Sequence, residues 1–137
     1  MKTLIYLTTL TILIALASCS DSKNGNSEEK AAGNAMKESD LPANPESPSD
    51  VAKVFYYYLS HLDYEKANQY YSGTLHQYKD DEVKEVHILS LKAEAINNEA
   101  KVTFTNDLAN EEVELNLMKV GDKWVINMYQ THSVNLK

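Results

Sequence analysis

The chain has 137 residues with 20 acidic and 13 basic side chains, every basic one a lysine, and a formal net charge of −7. An acidic chain without arginine lacks the basic footprint with which a nucleic-acid binder displaces counterions. One cysteine excludes an internal disulfide and any multi-cysteine metal site, and the length leaves room for a single domain.

Residues 1–19 read as an address. Lys2 precedes an uncharged run from Leu4 to Ala17, and small residues follow, which is the plan of a secretory signal peptide. A bilayer core needs about 20 apolar residues, and this 14-residue run is interrupted by Thr8, Thr9 and Thr11. Leu16-Ala17-Ser18-Cys19 resembles the lipobox of bacterial lipoproteins. That resemblance implies cleavage after residue 18, diacylglycerol on the Cys19 thiol, palmitate-type acylation of the new N-terminus, and a membrane anchor in the cell envelope. Ser20 in place of Asp resembles lipoproteins sorted to the outer membrane of a two-membrane cell. The alternative is a plain cleavable signal with a chance cysteine behind it.

Residues 19–49 are expected to be the lipidated cysteine and a disordered tether. Between 20 and 49 only four Ala, Met36 and Leu41 are apolar, and all three prolines (42, 45 and 48) fall here. So little apolar surface cannot offset the entropy of ordering. A flexible coil of that length reaches roughly 30 Å.

The domain is expected over residues 50–137. Ser47 or Ser49 caps a first helix with Pro48 in its first turn, and Val51, Val54, Phe55, Tyr58, Leu59 and Leu62 recur at helical period. Asp63 caps a second helix expected over 64–72, with Gly73 stopping it. A polar connector follows. The period then changes to two, predicting strands over 82–95 (bulged near Leu89), 100–105, 113–118 and 124–129, joined by short turns. The fold class is therefore α+β, with two N-terminal helices packed on a four-stranded antiparallel sheet.

The run Asp63-Tyr64-Glu65-Lys66-Ala67 after the first helix, together with Gly121-Asp122-Lys123-Trp124 between the last strands, resembles small bacterial lipoproteins of the nuclear-transport-factor-2-like, or cystatin-like cone, superfamily. The resemblance implies a curved, cone-like sheet with a pocket against the helices, and a homodimer through the open sheet face. It does not single out an activity, because that superfamily holds both enzymes and binding modules.

Seven of the nine tyrosines lie between Tyr56 and Tyr78. They are read either as an aromatic pocket or as cover for a half-wet seam between helix and sheet. The pocket candidates are Tyr58, Tyr71, His76, Tyr78, Asp80 and Trp124. His76 with Asp80 or Asp81 could form an acid–base dyad. The histidines show no metal-ligand spacing, and no phosphate loop or nucleophile elbow is present. No catalytic residue, metal or cofactor is assigned. Two functions stay open: a non-catalytic module binding a small molecule or protein, and an isomerase- or cyclase-type enzyme using a Tyr with a His/Asp pair.

Overall fold

The computed structural model describes residues 34–135. The expected signal peptide, Cys19 and the first part of the tether lie outside the described residues.

Helix α1 is Pro48–Ser60, capped by Ser47, whose hydroxyl accepts from the Asp50 amide at 3.1 Å. Helix α2 is Tyr64–Asn68, capped by the Asp63 carboxylate on the Lys66 amide. Strands β1 (Ile88–Ile96), β2 (Glu99–Asn106), β3 (Glu111–Val120) and β4 (Lys123–Ser133) form an antiparallel meander in the order β1-β2-β3-β4. The α+β class and the order of helices before strands agree with the sequence pattern.

Alternation places one face of the sheet against α1. Val102, Phe104, Val113, Leu115, Leu117 and Ile126 are buried there with Val51, Ala52 and Phe55. The other face carries Thr103, Thr105 and a Lys101–Glu114 ion pair of 2.9 Å. Each edge strand holds one extra residue: β1 between Leu89 and Lys92, where Ser90 takes φ 52°, and β4 opposite Asn116 and Leu117. Asn97, Asn110 and Gly121 take positive φ in the three hairpin connections.

Four details differ from the expected elements, each because polar groups of the backbone or a side chain found other partners. The tether was expected to run to residue 49, yet its second half belongs to the domain. Met36 packs on the core and its amide donates to Val86 O, while Glu38 reaches both Lys66 and Tyr58. Low apolar content misled there, since polar anchors and one methionine hold this segment.

Helix α2 ends at Asn68 rather than at 72. The edge of β4 captures the next residues, with Ile126 N donating to Tyr70 O and Ser72 N to Ile126 O. Gly73 therefore stops no helix. A Cβ there would lie 2.8 Å from the Tyr71 ring, so glycine makes room for that side chain.

The first strand begins at Ile88, not 82. In the preceding stretch Lys84 N donates to Ser60 O, and Glu85 O and His87 N are both taken by the Asn106 side chain. The stripe of α1 is also rotated. Tyr56 is buried, its hydroxyl donating to Glu111 Oε2 and accepting from Asn106 Nδ2, each at 3.0 Å, whereas Tyr58 is only half-buried.

Asn106 is fully buried with every polar atom paired. Asn106→Ala removes the partner of Glu85 O, of the His87 amide and of the Tyr56 hydroxyl, at about 0.5–1.5 kcal/mol for each hydrogen bond lost. Urea unfolding should show that loss, with hydrogen exchange at the His87 amide accelerating ahead of exchange in β2 and β3.

Candidate functional site

A cleft of about 590 Å³ opens between the C-terminal end of α1, the start of α2, the connector 74–84 and the middle of β4. Its walls are Leu59, Leu62 and Leu75 together with the rings of Tyr64, Tyr71, Tyr78 and Tyr129. Phe55 supports two of those rings from beneath: Tyr71 stacks on it at 5.8 Å and Tyr129 meets it edge-on at 5.7 Å. Asn68 shapes the loop before the connector, as its side chain donates to Leu75 O and accepts from Leu75 N.

Four of the six pocket candidates, Tyr71, His76, Tyr78 and Asp80, meet in this cleft. The other two do not. Tyr58 faces the N-terminal segment, where its hydroxyl donates to Glu38 Oε1 at 3.0 Å and the Lys66 ammonium sits 4.7 Å from its ring centre. Trp124 lines a separate depression of about 520 Å³, with Pro45 and Tyr70. The reason for both is the ordered segment 34–49, which covers the flank that the sequence pattern left open.

Asp81 is the organising carboxylate. Its Oδ2 accepts from the Tyr64 hydroxyl at 2.6 Å and from the Tyr78 amide at 2.7 Å. Those two donors, the phenol first, hold the Asp81 carboxyl below its ordinary 3.8. Reciprocally, burial and then the carboxylate push the Tyr64 phenol up to about 12. Tyr129 is also pushed up to about 12, chiefly by burial, with the charge of Glu111 adding to it. Asp81 therefore pairs with a phenol rather than with His76, which is exposed at the rim. Of the expected dyad, Asp81 is taken by the phenol, while His76 and Asp80 line the same cleft.

Behind the rim, Lys84 forms an ion pair with Glu111, whose side chain is only 12% exposed and whose other oxygen holds Tyr56. The sequence pattern missed Lys84, Glu111 and Tyr129, because each reaches the site by tertiary contact from another element. Leu62 has a clearer local signature. It ends α1 with φ 60°, and the bonds Leu62 N to Leu59 O and Asp63 N to Tyr58 O complete a Schellman cap. Glycine is the usual occupant there, and a leucine costs about 1 kcal/mol in this conformation.

Among the described residues, no group of three His, Cys, Asp or Glu side chains is placed to hold a metal, and no helix is long and apolar enough to cross a membrane. Comparison with known proteins gives no match to a family model, a curated protein or a solved structure.

The Tyr64–Asp81 contact sets a pH signature. Because the folded Asp81 pKa is depressed, the contribution of this contact is present above the ordinary 3.8 and is lost as pH falls through the lower folded value. The raised Tyr64 phenol has the opposite sign: its contribution is complete below the ordinary 10 and is lost as pH rises through about 12. In an ultraviolet phenolate titration, Asp81→Asn should move one tyrosine from about 12 part of the way toward 10, the share set by burial remaining. Acid titration followed at the Tyr78 amide should show its protection vanish only below the ordinary carboxylate range.

Proposed function

We propose that this chain is an envelope lipoprotein whose domain holds a ligand in the tyrosine-lined cleft without transforming it. In this reading residues 1–18 leave as the signal peptide and Cys19 carries the lipid. The outer membrane is the destination in a two-membrane cell. The order of two helices before a four-stranded antiparallel meander supports a place in the nuclear-transport-factor-2-like superfamily. The extra residues in β1 and β4 are of the kind that bends a sheet toward a cone.

One observation carries the non-catalytic part. The cleft contains a phenol and a carboxylate in contact, the constellation that an isomerase- or cyclase-type enzyme would use. Their titrations, however, are driven apart: the carboxyl is held below its ordinary value and the phenols are raised to about 12. General acid–base work is fastest when the group titrates near the working pH. At neutral pH this carboxylate is a weak base and these phenols are weak acids, so the pair orders the connector and presents fixed charge and ring surface.

A cleft built of rings, leucines and a few convergent polar groups is the usual chemistry of a small-molecule site. The strained leucine in its wall adds support, since backbone strain is kept where a side chain is needed. A homodimer through the outer sheet face would have to desolvate the Lys101–Glu114 pair. That pair is half exposed, and Ile96 and Met118 on the same face are exposed, so the homodimer stays part of the proposal.

The anchor is tested by detergent-phase partitioning and by incorporation of labelled palmitate. The full chain should enter the detergent phase carrying label, and Cys19→Ser should do neither. Equal partitioning of the two forms would overturn the lipoprotein reading. For the cleft, Leu62→Gly should leave the urea midpoint nearly unchanged, because about 1 kcal/mol of relaxed backbone offsets the lost packing, while ligand-induced shifts of the Tyr64 and Tyr78 ring resonances weaken.

A further inference from the structure

Strand β1 is an edge of the sheet, and one side of it is bare. Residues 92–96 pair with β2 without a break, and Asn97 and Asn98 alone close the hairpin. The residues flanking so short a loop, Ile96 and Glu99, exchange both backbone bonds. Alternating back from there, Glu94 and Lys92 bond to β2, while Ala93 and Ala95 turn their N–H and C=O groups to the open side. Among the described residues no other backbone group bonds to them there. Such a row of free groups is a template for another strand.

The side chains of this edge say which strand fits. Lys92 stands opposite Thr103 and Glu94 opposite Lys101, so both lie on the outer face. Lys101 is engaged by Glu114, and neither Lys92 nor Glu94 has an ion-pair partner among the described residues. We propose that β1 pairs antiparallel with β1 of a second copy, about a twofold axis through Ala93. This contact is separate from the cleft and from the outer-face homodimer, and depends on neither. Bonds form only between residues that both open outward, so the axis passes through a residue and not between two. Through Ala93, Lys92 of each copy meets Glu94 of the other, in the non-hydrogen-bonded pairs whose side chains lie closest. Through position 92 lysine would meet lysine, and through position 94 glutamate would meet glutamate, which is destabilising. At each end of the ladder the exposed Ile96 of one copy reaches the bulge of the other, beside the exposed Leu89. The bulge at Ser90 keeps the ladder short, so the dimer is a weak one.

The test is disulfide cross-linking of the full chain in nonionic detergent, with micelles in excess over chains and copper phenanthroline as oxidant. In Ala93→Cys the two new thiols meet on the axis, with Cα atoms about 5.5 Å apart, within disulfide reach. A cross-linked dimer should form above the baseline of the unsubstituted chain. At chain concentrations where dimer is scarce, the initial rate follows its population. Lys92→Glu or Glu94→Lys, each placed in Ala93→Cys, should lower that rate about tenfold, because two attractive pairs become two repulsive ones. The exchange Lys92→Glu with Glu94→Lys should restore it, which a merely disturbed strand would not do. Unaltered urea midpoints of the reduced proteins would show that each variant folds.

Three results overturn the pairing. One is a cross-linking rate that the single reversals leave unchanged, or that the exchange fails to restore. Another is no cross-link through position 93. If Met118→Cys on the outer face then cross-links, the face homodimer stands and only the edge pairing falls; if neither position does, both fall. The third is Ala93→Cys joined, in membranes of the producing cell, to a different polypeptide and not to itself, which gives the edge to a foreign strand.

Discussion

The structure turns on one buried amide. Asn106 ends β2 in the core, and its three hydrogen bonds go to the Tyr56 hydroxyl, to Glu85 O and to His87 N. A buried amide with an unpaired donor or acceptor is costly, so these partners come as a set. Tyr56 brings α1 to the sheet, and its own hydroxyl passes the chain of bonds to Glu111 on β3. Glu85 and His87 bring the connector. A single side chain thus sets where the helix lies, where β1 begins and how the wall of the cleft approaches its floor. The Lys84–Glu111 ion pair completes the loop on the connector side.

What the sequence discloses and what it hides divide along that same joint. The strands were legible because alternation is a local signal, and Val102-Thr103-Phe104 opposite Val113-Glu114-Leu115 needs no distant partner to be read. Both helix caps were legible for the same reason. The stretch before β1 was not: Glu85, Val86 and His87 alternate like a strand, but their backbone groups are satisfied by Met36, by Asn106 and, one residue earlier, by Ser60. Alternation reports which side chain is buried and not what the amide beside it bonds. The N-terminal segment failed in the opposite direction. Its composition reads as spacer, yet Met36 and Glu38 suffice to seat it, because the domain supplies the remaining surface.

The site was half legible for a related cause. Tyrosine enrichment between α1 and the connector pointed to the right part of the chain, and the adjacent acids to its rim. Which tyrosine faces which side depended on where each hydroxyl could bond. Tyr56 goes inward to Glu111 and Asn106, Tyr58 outward to Glu38, and Tyr64 sideways to Asp81. A phenol has an apolar body and a polar tip, so its direction follows the nearest unsatisfied acceptor rather than helical periodicity alone. The same three tyrosines bear on the chemistry, because burial first, and the acidic acceptor after it, push each phenol above its ordinary value.

Leu62 brings these threads to one residue. A helix that ends in a Schellman turn is most cheaply finished by glycine, and this chain has glycine at comparable demands elsewhere: Gly121 in the last hairpin and Gly73 against the Tyr71 ring. At position 62 it keeps a leucine in the left-handed region, where the side chain becomes a wall of the cleft. The two hydrogen bonds that close the cap offset part of that strain. The rest is offset only if the side chain does something a hydrogen atom could not. Local rules of sequence and structure agree along most of this chain, and their conflict falls beside Tyr64, Asp81 and the rings supported by Phe55. Strain, fixed charge and aromatic surface coincide in one cleft, which is what a site shaped to hold a ligand requires.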